Sequence, residues 1–365
     1  MPGRIGILTG GGDCPGLNAV IRAVTLHAQQ AYGWDVVGIH NGFEGLYDGR
    51  NVALDARTVE SLLPRGGTIL GATNHANPFA YRVPTPAGRG EIQDVSARCL
   101  ANLAKLELRG LIVVGGDGTM GLAHRFMGIG AGCIVGVPKT IDNDLDTTDY
   151  TVGFQTAVET VVDALERLET TAASHERVMV VEVMGRYAGW IALTSAIAGG
   201  AHVCLIPELD YDLARVIAAV DARRGLGHCD SIIVIAEGAK PRGGTLSVAT
   251  SSDGTREQKL GGAGQRLAEQ LAAHSAYDVR STVLGHIQRG GSPCAFDREL
   301  ATRFGVKAVE MIAAGELGQM TAFDHGCVVA KPIARAIAKP KIIDLAGELV
   351  RTARGIGIEL GAGVR

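Results

Sequence analysis

Short β-branched runs, each passing through glycine into an amphipathic stretch, constrain this chain more than any other feature. The runs are Arg4–Thr9, Asp35–His40, Leu111–Val114, Cys133–Val137, Val178–Val183, His202–Pro207, Ser231–Ala236 and Val279–Leu284. Helical periodicity marks Leu17–Gln30, Val95–Leu106, Thr156–Leu168, Ile191–Ala198, Leu213–Arg223, Gln265–Ala273 and Arg298–Ala314. Strands that are apolar on both faces and separated by helices build a parallel sheet covered on each side. Eight such strands could close a barrel. The glycine-rich turn after the first strand instead favours an α/β fold of two doubly wound lobes. Ala72–Gly90, with three prolines, reads as a long loop, and the polar Gly238–Gly264 as a surface insertion.

The chain holds 51 glycines in 365 residues, where average usage is about 7%. They cluster at strand ends, as in Gly10-Gly11-Gly12, Gly66-Gly67, Gly115-Gly116 and Gly290-Gly291. Glycine lets backbone amides approach a ligand closely, so these junctions suit something small and polar. The balance of 35 Lys+Arg against 38 Asp+Glu provides no broad cationic surface, which disfavours nucleic acid as a partner. No apolar run reaches the roughly 18 residues of a membrane span. Met1-Pro2-Gly3-Arg4 leads straight into a strand pattern, unlike a secretory leader. Seven scattered cysteines without C-x-x-C fit reduced thiols, so a cytoplasmic location is expected, with neither a zinc site nor a disulfide framework.

Three motifs can carry chemistry. In Leu8-Thr9-Gly10-Gly11-Gly12-Asp13-Cys14-Pro15-Gly16-Leu17-Asn18 a strand turns through glycines into a helix. Free amides at such a corner bind anions, phosphate above all, although a plain βα turn has the same outline. Leu17-Asn18 stands where a Walker A loop needs Lys-Ser/Thr, and Pro15 where a dinucleotide fingerprint needs glycine. In Gly115-Gly116-Asp117-Gly118-Thr119 a strand delivers one carboxylate among glycines, a site for Mg²⁺ or a simple turn. Pro138-Lys139-Thr140-Ile141-Asp142-Asn143-Asp144 spaces two acids at i and i+2 beyond a strand, as a catalytic or a capped loop would. Together they favour phosphoryl transfer, which needs a base towards the acceptor hydroxyl and a metal-bound donor. A basic group follows: Arg177, Arg186, Arg280, His286 and Arg289 stand beside strand ends, suited to an acceptor that already bears a phosphate.

The segments GGGDCPGLNAVIR, RGGTILG, VVGGDGT, PKTIDND, SHERVMVVEVMGRYAGWIA, IAEGAKP and TVLGHIQRGG run in this order over about residues 4–310 and together resemble the phosphofructokinase A family. The resemblance implies two Rossmann-like lobes, 1–153 plus 288–338 for the donor and 154–287 plus 339–365 for the sugar phosphate, with the active site in the cleft between them. It implies transfer of the γ-phosphate of ATP, or of a phosphate from pyrophosphate, to the 1-hydroxyl of fructose 6-phosphate in glycolysis, with Mg²⁺. By position, Gly11, Gly116, Gly118, Thr119 and Lys139 would face the donor and Asp117 would bind the metal. Asp142 resembles the general base, flanked by Thr140 and Asp144, with Arg186 beside the transferred charge. Met184, Gly185, Arg186, Glu237, His286 and Arg289 resemble sugar-phosphate contacts. Arg177 and Arg280 resemble arginines that reach a neighbouring subunit's site, which implies a homodimer or homotetramer.

The donor markers are mixed. Pyrophosphate users of the family resemble one another in an Asp where Gly118 stands and in a Lys where Lys139 stands. An acid at 118 would repel a nucleotide's α-phosphate while Gly118 leaves the space open, so ATP is the expected donor. Asn74 replaces an arginine that the family commonly directs at the donor, and Arg82 lies slightly downstream. Leu26 and Glu169 replace arginines of the usual bacterial effector site, so no response to ADP or phosphoenolpyruvate is expected there. A sugar-phosphate sensor would dispense with Asp117, Asp142 and Asp144; a nicotinamide-linked dehydrogenase would need the missing fingerprint.

Overall fold

The computed structural model describes residues 3–73, 76–85, 88–250, 259–274 and 277–363. Asn74 lies outside them. The chain forms two compact units: Met1–Ile141 with Leu145–Thr156 and Arg289–Pro340, and Asp142–Asp144 with Ala157–Gln288 and Lys341–Arg365.

The first unit opens with β1 (Arg4–Thr9), β2 (Asp35–Ile39), β3 (Asn51–Leu54), β4 (Tyr81–Thr85), β5 (Gly88–Gln93), β6 (Gly110–Gly115) and β7 (Ile134–Pro138). The second contains β8 (Val178–Val183), β9 (Val203–Leu205), β10 (Ser231–Ala236), β11 (Val248–Thr250), β12 (Lys259–Leu260) and β13 (Val279–Val283). The chain returns to the first with β14 (Gln319–Asp324) and β15 (Cys327–Pro332).

The first sheet runs β15-β14-β7-β6-β1-β2-β3, parallel except for the antiparallel outer strands β3 and β15. All six residues of β6 are buried, as expected of a strand covered on both faces. From β1 the chain passes through helix Leu17–Tyr32 to β2 on one side, whereas β6 adds on the other. The sheet therefore changes direction between β1 and β6, the place where open α/β sheets bind ligands. Register pairs Thr9 with Val114, so the two strands end level and their glycine turns leave side by side. The second sheet, β13-β8-β10-β9, is wholly parallel. The fold is α/β with two Rossmann-like parallel-sheet units.

The structure differs locally from the sequence reading at three places. Ala72–Gly90 is more than a loop: a 3-10 turn at Pro78–Ala80 leads into the β4–β5 hairpin, with Tyr81 opposite Gln93. Pro78 fits the first turn of a helix, and the strand proline Pro84 coincides with a register shift between Val83 and Thr85, where proline is tolerated. Asp117–Gly128 is a helix despite Gly118, Gly121 and Gly128. Helix Phe154–His175 starts before the expected Thr156, because Asp297 accepts from the amides of Gly153 and Thr156 at 2.9 and 2.8 Å and caps it from another element. In the segment Gly238–Gly264, β11 and β12 pair antiparallel, and residues 251–258 lie outside those described. Among the described residues no helix is long and apolar enough to cross a membrane.

Candidate active site

The first two motifs meet through one threonine. Thr119, buried in the first turn of helix Asp117–Gly128, fills the space that a β-carbon would need at Gly10 (2.7 Å to Cγ2) and at Gly115 (2.4 Å to Cβ). The amide of Gly10 donates to the Val114 carbonyl at 2.9 Å. The third motif closes on the same place. A β-carbon at Gly116 would lie 3.4 Å from the Lys139 carbonyl oxygen and 3.6 Å from Thr140 Cβ. The Lys139 amide donates to the Gly115 carbonyl at 3.0 Å, and its ammonium donates to the Gly12 carbonyl. Gly11 has φ 74°, the left-handed conformation that only glycine adopts cheaply.

Cations converge on this turn. Lys139 is buried, and Arg289 Nη1 donates to the Asp13 carbonyl at 3.4 Å while lying over Gly12, 2.7 Å from where its β-carbon would be. Cys14 is wholly buried; its thiol donates to the Val152 carbonyl at 3.4 Å, and burial pushes its pKa up to about 12. It is therefore a packing residue, not a nucleophile. Burial likewise raises the Asp297 carboxyl above the ordinary carboxylate range.

A cavity of about 450 Å³ opens on the turn, lined by Gly11, Gly12 and Asp13 and by Arg65–Thr68. Asn18, fully buried, shapes its second wall: Nδ2 donates to the carbonyls of Arg65 and Gly66 at 3.1 Å, and Oδ1 accepts from Ile69 N at 2.9 Å. Thr9 Oγ1 meets Thr68 Oγ1 at 3.0 Å. Sequence reasoning quoted Thr9 and Asn18 within the first motif without giving either a role; for Asn18, a polar side chain in the apolar stripe of Leu17–Tyr32 was the available signal. Asp117 is exposed at the start of its helix, and nothing lies within 4 Å of a β-carbon built at Gly118. Asp117 thus offers a hard oxygen ligand. No group of three or more His, Cys, Asp or Glu side chains among the described residues could hold a metal alone.

After Thr140, whose carbonyl accepts from Thr151 Oγ1 at 2.6 Å, the chain enters the Asp142–Asp144 loop. Asn143 there is buried with φ 52°. Asp142 and Asp144 are half-buried, and the Asp144 carbonyl accepts from Lys341 N at 2.8 Å.

In the second unit the remaining candidates follow the C-terminal ends of neighbouring strands. Met184, Gly185 and Arg186 follow β8, Glu237 follows β10, and His286 follows β13. Gly185 has φ 124°. The Glu237 amide donates to the Val183 carbonyl at 2.8 Å, and a β-carbon at Gly238 would strike the Arg186 carbonyl at 1.9 Å, so these turns are packed backbone to backbone. Fully buried Gln288 accepts from the Met184 amide at 3.3 Å. His286 is exposed, and Arg186 lies 5.3 Å from the Tyr187 ring centroid.

Arg177 and Arg280 stand at the other end of this sheet, before β8 and near the start of β13. Asp278 joins them, 2.5 Å from Arg177 Nε and 2.6 Å from Arg280 Nη1, and the Arg177 hydrogen bond lowers its pKa. At about 3.3 Å per strand residue, Arg177 is roughly 20 Å from Met184 of its own chain.

A family model described as phosphofructokinase matches residues 4–312. The ATP-dependent 6-phosphofructokinase 2 of Clostridium perfringens is 48% identical over 357 residues, 97% of this chain and 97% of its own. The pyrophosphate–fructose 6-phosphate 1-phosphotransferase of Streptomyces coelicolor is also 48% identical, over 93% of this chain and 96% of its own. Among solved structures, phosphofructokinase from Saccharomyces cerevisiae aligns with a TM-score of 0.76 at 28% identity, covering 97% of this chain but 46% of that longer one.

Proposed function

The chain belongs to the phosphofructokinase family, and on that premise we propose that it transfers the γ-phosphate of ATP to the 1-hydroxyl of fructose 6-phosphate, giving fructose 1,6-bisphosphate in cytoplasmic glycolysis. The observation that carries this reading is the meeting, in the first unit, of the two glycine turns with each other through Thr119 and with the Lys139–Thr140 stretch through Lys139 on Gly12. Gly11, Gly116, Gly118 and Thr119 form the donor's phosphate cradle, and Lys139 holds its shape. Asp117 would hold Mg²⁺, a hard cation suited to its exposed carboxylate oxygens. When bound, the ion neutralises charge on the transferred group.

Asp142 takes the proton of the sugar hydroxyl, while Thr140 and Asp144 fix its loop. Arg186 offsets charge that develops on transfer. Met184, Gly185, Glu237 and His286 hold the sugar phosphate. Arg289, placed over Gly12, adds positive charge beside the phosphate cradle. Arg177 and Arg280 serve a second copy of the chain, because their end of the sheet is remote from Met184 and Arg186; a homodimer or homotetramer follows.

Open space at Gly118 supports ATP as donor. Pyrophosphate is the second reading, favoured by Lys139 and by the Streptomyces coelicolor relative. The test is direct: purified protein, Mg²⁺ and fructose 6-phosphate, with ATP and pyrophosphate in separate assays. Turnover with pyrophosphate alone overturns the ATP reading, and turnover with neither overturns the function.

A further inference from the structure

A short segment near the C-terminus is fastened to the Asp142–Asp144 loop and to Trp190 and Glu208, beside Gly189, which follows the Met184–Arg186 loop. The Lys341 amide donates to the Asp144 carbonyl at 2.8 Å. The next carbonyl along, that of Lys341 itself, accepts from Trp190 Nε1 at 2.8 Å, and the Lys341 ammonium lies 5.1 Å from the Trp190 ring centroid. Two residues further on, the Ile343 amide donates to Glu208 Oε1 at 2.9 Å. The same carboxylate accepts from the Gly189 amide, at 3.0 Å through Oε1 and 3.1 Å through Oε2. Gly189 caps helix Trp190–Ala198, so Glu208 occupies the positive end of that helix. The contact is close: a β-carbon at Gly189 would lie 2.9 Å from Glu208 Oε2 and 2.5 Å from Ile206 Cβ.

Chemistry explains why such a fastening matters. The Asp142–Asp144 loop lies outside the helices and strands, between β-bridges at Lys139–Val152 and Leu145–Pro340, and Asn143 turns it through the left-handed region that asparagine tolerates. Displacing a reacting group by 1 Å costs on the order of 100-fold in rate. Met184–Arg186 lies just before Gly189, and its turn is tight, with 2.7 Å between the Ala188 carbonyl and a β-carbon at Gly185.

From these contacts we infer that Glu208 and Trp190 are positioning residues for phosphoryl transfer: they secure Lys341–Ile343 as a strap that couples the Asp144 backbone to the turn bearing Met184, Gly185 and Arg186. The role rests on the proposed function. Glu208 accepts from both sides of the junction, and Trp190 holds the strap at the residue that reaches Asp144. Neither side chain touches the reacting groups.

The experiment uses the full-length protein, wild type and three variants: Glu208→Ala, Glu208→Gln and Trp190→Phe. It reads kcat, the KM of each substrate, the melting temperature, and hydrogen exchange of the amides in 142–146 and 341–343. Glu208→Ala is expected to lower kcat about 10-fold or more, with ATP KM changed less than about 2-fold and faster exchange in both segments. Glu208→Gln keeps one acceptor oxygen and is expected to return to within about 3-fold of wild type. Trp190→Phe, which leaves the Glu208 contacts intact, is expected to give an intermediate kcat. Wild-type kcat in both Glu208→Ala and Trp190→Phe overturns the role, and so does a fall in kcat that matches the fraction unfolded. If Glu208→Ala does not fold, Trp190→Phe decides alone. A wild-type protein that turns over no fructose 6-phosphate overturns the proposed function and this role with it, an outcome distinct from active wild type and equally active variants.

Discussion

The ammonium of Lys139 donates to the carbonyl oxygen of Gly12, so this buried cation braces the turn proposed to face the donor. Hydrogen bonds from charged groups contribute about 1.5–3 kcal/mol. Lys139→Met keeps the volume and loses the bond; it is expected to lower the melting temperature by several degrees and to raise KM for ATP and pyrophosphate together. Thermal denaturation and donor titrations check this. A change confined to pyrophosphate would mean that the ammonium acts on the ligand and not on the turn.

Gly115 and Gly118 stand three residues apart and should answer oppositely to the same substitution. A methyl at 115 meets Thr119 Cβ at 2.4 Å and is expected to cost about 1–3 kcal/mol through overpacking. Gly118→Ala adds a methyl in open space inside a helix, where replacing glycine gains up to about 1 kcal/mol. Gly118→Asp should fold equally well yet depress kcat/KM for ATP more than for pyrophosphate. Denaturant titrations and paired donor assays would expose equal responses.

Asp142→Ser removes the proposed base while leaving the backbone of its loop to Thr140 and Asp144. We expect kcat to fall by about 10²–10⁴ with fructose 6-phosphate affinity changed little. Rapid turnover by this variant would reassign the base.

Arg177 and Arg280 share Asp278 at one end of their sheet, while Met184 and Arg186 leave the other. Arg177→Ala and Asp142→Ser should each be nearly inactive alone, and co-refolded mixtures should regain part of the activity if the arginines act in a second subunit. Mixtures no better than the two parents would place them in their own chain's site or outside any site.

His202 is partly buried, and its Nδ1 accepts from the Ile232 amide at 2.9 Å. Burial, with Arg223 and then His228 adding to it and Asp230 opposing, lowers its pKa to about 4 from an ordinary 6.5. The unfolded chain therefore binds the extra proton between these values, so stability is full above about pH 6.5 and declines as pH falls towards 4. Discounted for solvent access, the loss is about 2 kcal/mol at most. His202→Asn, which retains an acceptor without a titrating ring, should flatten the dependence of melting temperature on pH in that window.

Much of the architecture was readable because strand burial leaves a local imprint. The runs Arg4–Thr9, Val178–Val183 and Ser231–Ala236 coincide with β1, β8 and β10, since strands covered on both faces are mostly apolar along their length, with Glu182 the polar exception inside β8. Helix Asp117–Gly128 was hidden because Gly118, Gly121 and Gly128 read as turn residues, although a β-carbon at each would meet nothing within 4 Å. The hairpin β4–β5 was hidden because prolines obscured its alternation.

The amino-acid order alone determined which residue types stand at the strand ends: the glycine turns, Asp117, and the acids at 142 and 144. Only the tertiary structure decided which of them meet. Thr119 lies between Gly10 and Gly115, Asp297 caps a helix begun some 140 positions earlier, and Glu208 reaches Gly189 and Ile343. Such partners are set by sheet order and register, which depend on interactions far apart along the chain and leave no periodic signal within any one segment.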